Sequence, residues 1–303
     1  MRPVESRRPQ RDSKLFDEAF LARLEYLDIV AKKRFATDSR GERRSKRIGA
    51  GLEFVDHRRY SPGDDFKHID WNVYARMGRL LLRLYEEEED LYVYLLVDSS
   101  SSMAVGDGAK FDYARKLAAA LAYITLSSLD RVSVLPFSAS LGQRLVPARG
   151  KGQIFGVLDF LSGLAPGGPT SMTDACKAFV HQNKRRGLAV VISDFYAQDG
   201  YADGLNYLRY HRFEPFVIHL TDEREETPDL RGDILLVDCE TGLPQEVTVT
   251  PRMLSRYRAA HAAWCDELES FCKERHTAYF RTPVQTPFDE LMLRIFRAGG
   301  FLA

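Results

Sequence analysis

The residues whose spacing carries most chemistry lie in Leu91 to Met103, LYVYLLVDSSSSM, where Asp98, Ser100 and Ser102 put an oxygen at every second position. In extended chain, positions i, i+2 and i+4 point the same way, so the pattern predicts one carboxylate and two hydroxyls converging on a point. Two other segments carry similar oxygens. Thr170 is reached through Gly167-Gly168-Pro169, whose glycines let the backbone approach a neighbour, and Asp194 closes Ile192-Ser193-Asp194. If the three segments meet, they offer three neutral hydroxyls and two carboxylates. Such hard donors suit Mg²⁺, which takes about six oxygens and keeps several waters, and Mn²⁺ or Ca²⁺ would fit similar oxygens. The hydroxyls then bind directly, one or both carboxylates act through water, and the weak neutral ligands leave the ion electrophilic toward an incoming carboxylate. That arrangement captures an acidic side chain of a partner rather than turning over a substrate. Each residue also has a plainer reading. Asp98 and Asp194 could cap the helices that follow their strands, Ser100 and Ser102 could be turn serines, and Thr170 could be a helix N-cap.

Catalytic alternatives are poorly supplied. An aspartyl-phosphate phosphatase wants a second Asp two residues after the first, and position 100 is Ser. A phosphate-binding P-loop wants Lys before its Thr, and the run from Gly163 to Thr170, GLAPGGPT, has Pro169 there. A serine hydrolase would need GxSxG or a nearby His, and Ser99–Ser102 has neither in sequence. A Mg²⁺-dependent phosphoryl hydrolase therefore stands as an alternative only, as does nucleic-acid binding through the basic stretch from Lys32 to Arg47, where no aromatic residues interleave to stack bases. Asp107 and Lys110, close to the first loop, read as surface residues.

The elements that must position these residues follow from the hydrophobic pattern. Leu91–Val97 runs without a charge and reads as a strand buried on both faces of a parallel sheet, whose carboxyl edge is where open α/β folds place ligands. After it, helical patterns (109–128, 152–163, 172–185, 200–211, 252–275, 287–297) alternate with strands at 131–137, 188–193, 215–220 and 278–281. A hairpin spans 233–238 and 246–250 around Glu240-Thr241-Gly242. This alternation predicts a doubly wound, mostly parallel sheet. Upstream, residues 1–47 read as a tail, an amphipathic helix over about 15–35 and a basic linker. Residues 48–90 form a distinct block: a strand near 52–60, a turn at Ser61-Pro62-Gly63-Asp64, a helix capped by Asp70 and ended by Gly78, and a second strand near 80–85. The acidic run Glu86–Asp90 follows, and 91–303 forms the main domain.

The 303 residues carry 43 basic and 43 acidic side chains, so net charge gives no pull toward nucleic acid or acidic membranes. No run of about 18 apolar residues suggests a membrane span, and the first residues lack the apolar core of a secretory signal. The four cysteines, Cys176, Cys239, Cys265 and Cys272, contain no CxxC pair, which favours reduced thiols in a cytoplasmic protein over a zinc site.

The set Asp98, Ser100, Ser102, Thr170 and Asp194 resembles the metal-ion-dependent adhesion site of von Willebrand factor type A domains. The block Glu53–Asp70, EFVDHRRYSPGDDFKHID, continuing through Trp71-Asn72 and Ala75-Arg76, resembles the signature of a bacterial family called domain of unknown function fifty-eight. The likeness runs from about residue 48 to the C-terminus, including Asp238-x-Glu240-Thr241-Gly242. It implies a von Willebrand factor A-like core and Mg²⁺ held by those five residues. It further implies a non-catalytic, metal-dependent adaptor working with a MoxR-type AAA ATPase on client proteins. Of the signature residues, Arg58, Tyr60, Pro62, Gly63, Asp64, Asp65, Asp70 and Trp71 are expected to form a structural network joining the block to the sheet, or a partner surface. The sequence departs from the family in lacking N-terminal membrane helices and in carrying Pro169 where glycine is more usual.

Overall fold

A computed structural model describes residues 15–27, 48–49, 53–86 and 91–298. The tail 1–14, the basic stretch 32–47 and residues 87–90 of the acidic run lie outside the described residues. The chain forms two compact units, 34–90 and the remainder.

The larger unit begins with helix α1, residues 18–27. In the smaller unit, strands β1 (Ile48–Gly49), β2 (Glu53–Arg59) and β3 (Leu81–Glu86) make an antiparallel sheet in the order β1-β3-β2, with helix α2 (Trp71–Met77) between β2 and β3. The signature residues brace this small sheet internally. Arg58 Nη2 bonds Asp64 Oδ1 at 2.7 Å, and Asp64 also accepts from Ser61 N, closing the turn in which Gly63 has φ +106°. Asp65 accepts from Lys67 N, and the Tyr60 ring stacks on Phe66. Asp70 caps α2 through Asn72 N and Val73 N and meets Arg83 of β3 and His57 of β2. Those two partners, Arg83 first, hold its carboxyl far below the usual range. Gly78 ends α2 in the left-handed conformation, φ +65°, as the sequence predicts. Trp71 stands edge-on to Tyr74 on α2.

The larger unit is the doubly wound, mostly parallel sheet that the alternating pattern predicts. Its strands are β4 (Tyr92–Asp98), β5 (Arg131–Phe137), β6 (Ala148–Arg149), β7 (Leu188–Ser193), β8 (Glu214–Thr221) and β11 (Ala278–Pro283). They lie in the order β11-β8-β7-β4-β5-β6, all parallel except the two-residue β6. Strand side chains alternate between faces, so each strand feeds two cores. From β4, Val93, Leu95 and Val97 pack in a cluster with α1, α3 (Ala109–Ser127), α4 (Ile154–Ser162) and α9 (Phe288–Ala298), while Tyr94 and Leu96 pack on the other side. There they meet α5 (Met172–Gln182), α6 (Ala202–Tyr210) and α8 (Pro251–Glu274). Helix α3 is buried along most of its length, and its alanines at 114, 118, 119, 120 and 122 keep it close to the sheet. A short helix α7 (Glu223–Glu226) follows β8, and the hairpin β9 (Gly232–Val237) and β10 (Pro244–Val249) pairs antiparallel.

Close packing at the start of β7 makes a sharp demand on residue 187. A Cβ at Gly187 would lie 2.1 Å from the carbonyl oxygen of Tyr92. Gly187→Ala is expected to destabilise by about 1–3 kcal/mol through forced backbone displacement. Gly156→Ala, in α4 with nothing within 4 Å, should be neutral or stabilise by about 0.5–1 kcal/mol. Denaturant midpoints of the two variants check the contrast.

Candidate metal centre

Asp98 is the last residue of β4, at the carboxyl edge of the sheet, and is wholly buried. Its Oδ1 accepts from Ser100 N at 2.9 Å and its Oδ2 from Ser193 Oγ. The chain does not continue extended past it, as the alternating oxygens suggest, but turns through a 3₁₀ segment, Ser101–Ala104. The turn, rather than strand alternation, brings Ser100 Oγ and Ser102 Oγ within 2.9 Å of each other, and Ser102 Oγ then donates to Asp194 Oδ1 at 3.2 Å. A continuous chain of oxygens thus runs from the first loop to the third.

The threonine loop meets this turn through the backbone. Gly167 N donates to Ser99 O at 2.7 Å and Ser101 N to Gly168 O at 2.9 Å, with Gly168 at φ +83°. Thr170 is buried, and its Oγ1 donates to Glu240 Oε1 at 2.6 Å, from the turn between β9 and β10. The N-cap of α5 is Ser171, not Thr170, so the threonine hydroxyl is free of that task. The structure therefore joins Asp98, Ser100, Ser102 and Asp194 by side-chain bonds, and brings in Thr170 by loop pairing.

Asp194 follows β7 and is wholly buried. The next residue, Phe195, is buried with φ +60°, a conformation that a bulky side chain rarely adopts. In this backbone Phe195 N donates to Ser193 Oγ and Tyr196 N to Asp194 Oδ1.

Lys110 corrects the sequence-based expectation. It is 1 % exposed rather than a surface residue, with Nζ 2.7 Å from Asp194 Oδ2 and 2.6 Å from Glu225 Oε1, and 5.4 Å from the centre of the Tyr196 ring. Burial works against its charge, but the two carboxylates prevail and hold its pKa above the ordinary lysine value. Asp107 is on the surface as expected, paired with Arg224 at 3.0 Å. Asp98 has no such cationic partner among its bonds. Burial, and then the charge of Asp194, push its pKa up to about 7, against the hydrogen bonds from Ser193 and Ser100.

Sequence reasoning missed Ser193, Lys110 and Glu225 as members of this cluster. Ser193 had a visible signal, as the polar end of an otherwise apolar strand; the other two had none, because their contacts come from α3 and α7. Among the described residues no three His, Cys, Asp or Glu side chains group as a metal site. The donor set here differs in kind, being two carboxylates with serine and threonine hydroxyls, and it fits a hard divalent ion. Ser100, Ser102 and Thr170 would supply neutral oxygens, and Asp98 and Asp194 the charge.

Residues 56–266 match the family described as protein of unknown function DUF58. The chain belongs to this family. Uncharacterised proteins of Mycobacterium tuberculosis and Mycobacterium bovis are each 31% identical to it over 257 residues, 82% of this chain and 80% of theirs. Among solved structures it is similar to the conserved hypothetical protein BatB of Bacteroides thetaiotaomicron, at 13% identity and TM-score 0.43 over 69% of this chain and 98% of that one. It is also similar to an aerotolerance-related membrane protein of Bacteroides fragilis, at 17% identity and TM-score 0.42 over the same shares. No helix among the described residues of the present DUF58 chain is long and apolar enough to cross a membrane.

The Lys110 contact gives a direct test of this electrostatic arrangement. Lys110→Met keeps the stem but leaves the carboxylates of Asp194 and Glu225 without their ammonium. Removing one partner of a buried pair costs about 3–5 kcal/mol, so a loss of that order is expected in the denaturant midpoint.

Proposed function

We propose that this protein is a non-catalytic, metal-dependent adaptor for protein–protein contacts, working with a MoxR-type AAA ATPase on client proteins. The observation that carries the reading is a pair of wholly buried carboxylates, Asp98 and Asp194, of which only Asp194 is bonded to the Lys110 ammonium among the described residues. With Asp98 ionised, the carboxylates of Asp98, Asp194 and Glu225 face the single ammonium of Lys110. A divalent ion held by Asp98, Ser100, Ser102, Thr170 and Asp194 would favour the ionised form of Asp98, with Mg²⁺ favoured by the all-oxygen donors and Mn²⁺ or Ca²⁺ acceptable. Among the described residues Ser99 to Ser102 bond to Phe137 O, Asp98, Asp194, Gly167, Gly168 and one another, which supports capture over nucleophilic chemistry. The choice of ATPase rests on the family resemblance in the sequence. That partner's need for ATP puts the pair in the cytoplasm, in keeping with four unpaired cysteines.

The seat for a partner's acid has a feature of its own. Thr170 Oγ1 already bonds the Glu240 carboxylate, and in this reading Glu240 occupies the place an incoming acidic side chain would take.

Purified protein is expected to bind its cognate ATPase in Mg²⁺, with affinity falling at least tenfold in Asp98→Ala and in Ser100→Ala. Binding that persists in EDTA and in both variants would remove the metal bridge from the proposal. Mg²⁺ should also raise the melting temperature slightly, since the ion binds only the folded state. Glu240→Gln weakens the internal competitor, and partner affinity should rise about fivefold, the size of one weakened charge-assisted hydrogen bond. Turnover in a Mg²⁺-supplemented phosphatase screen, abolished by Asp98→Asn, would replace the adaptor reading with a hydrolase.

A further inference from the structure

Further along the same sheet edge lies a cavity that plays no part in the candidate metal centre. It has a volume of about 440 Å³ and sits beyond the ends of β8 and β11, under one face of α8. Arg258, His261 and Cys265, at helical spacing along α8, line one wall; Thr221, the last residue of β8, and Arg281 of β11 line another.

Thr221 is the decisive residue. Along β8, Ile218 and Leu220 enter the core beneath α3, whereas the ring of His219 packs 5.1 Å from Trp264 of α8. Alternation therefore turns the Thr221 side chain to the α8 face, where the cavity is. Thr221 is only 2 % exposed, and its Oγ1 has no hydrogen-bond partner among the described residues. Native structures rarely leave a buried hydroxyl unbonded, and one at a cavity wall points to something that bonds it.

The surrounding charge says what that something is. Two guanidinium groups, Arg258 and Arg281, face the cavity against one carboxylate, Glu226. Arg281 reaches Asp266 only at 3.9 Å, and His261 is held by its Nε2 contact with Tyr196 Oη at 3.0 Å and a looser Nδ1 contact with Cys265 Sγ at 3.9 Å. Guanidinium forks match oxyanions with several terminal oxygens, and a hydroxyl donor from a third side suits a phosphate better than a planar carboxylate. The volume exceeds a bare phosphate and falls in the range of small-molecule sites, about 300–1,000 Å³. Its place at the carboxyl edge of a parallel sheet is where open α/β folds hold ligands.

We propose that this cavity binds a small phosphorylated molecule, its phosphate held by Arg258 and Arg281 and accepting a hydrogen bond from Thr221 Oγ1. The site is independent of the divalent ion and of the ATPase.

Calorimetric titration with phenyl phosphate and, separately, inorganic phosphate tests this, in EDTA and at ionic strength matched with chloride. Saturable binding of phenyl phosphate is expected, weakened about tenfold in Arg258→Ala and in Arg281→Gln, the loss of one charge-assisted contact. Thr221→Val should weaken it several-fold while leaving the melting temperature of the free protein unchanged or higher, because the unbonded hydroxyl is gone. Inorganic phosphate binding as tightly as phenyl phosphate would identify the free ion as the ligand and overturn the need for an organic body. No saturable binding of either, or binding unchanged in Arg258→Ala and Thr221→Val, would overturn the site itself.

Discussion

The constraint on which the edge of this sheet depends is the burial of two carboxyl groups there. Asp98 and Asp194 sit at the ends of adjacent strands with no exposure to solvent, and among the described residues Lys110 is the positive group bonded to them, through Asp194. Charges taken out of water need counter-charges or hydrogen bonds at close range. Several nearby polar groups are turned to that end: Ser193 and the Ser100 amide on Asp98, and Ser102 and the Tyr196 amide on Asp194. The unusual backbone at Phe195 is best understood in the same light. A bulky residue at φ +60° costs about 1–3 kcal/mol, and two amide donors, Phe195 N and Tyr196 N, serve this cluster from that segment.

The sheet supplies the rigidity that such a cluster requires. Strand β4 is paired on both sides along its length, and its alternate side chains are locked into two separate helical layers. The loop ends that leave the sheet are therefore tied to fixed points, and the backbone bonds between Ser99–Ser101 and Gly167–Gly168 fasten the threonine loop to the first turn. Functional groups lie on loops, while precision comes from the scaffold beneath them.

Much of this was legible from local pattern. The uncharged run of β4, the alternation of helix and strand, and the Asp70 and Gly78 boundaries of α2 each depend on residues near one another in sequence, and each formed as expected. The convergence of Asp98, Ser100 and Ser102 was also readable, although by a different route, since a 3₁₀ turn and not extended chain achieves it. What could not be read is what arrives from afar. Lys110 looks like any helix-surface lysine until α3 is laid against the sheet, whereupon it meets carboxylates 84 and 115 positions away. Glu240 likewise stands in an ordinary hairpin turn, and only the tertiary fold sets it against Thr170.

The outer strands of the large sheet carry one more lesson. An unpaired strand edge is a template on which another chain can add itself. On one side the sheet ends in β6, two residues long and running against its neighbour, too short to seed such growth. On the other, β11 carries the charge of Arg281 and closes with Pro283, which has no amide hydrogen to donate. Among the described residues the six-stranded sheet thus ends on both sides in strands poorly suited to adding a further one.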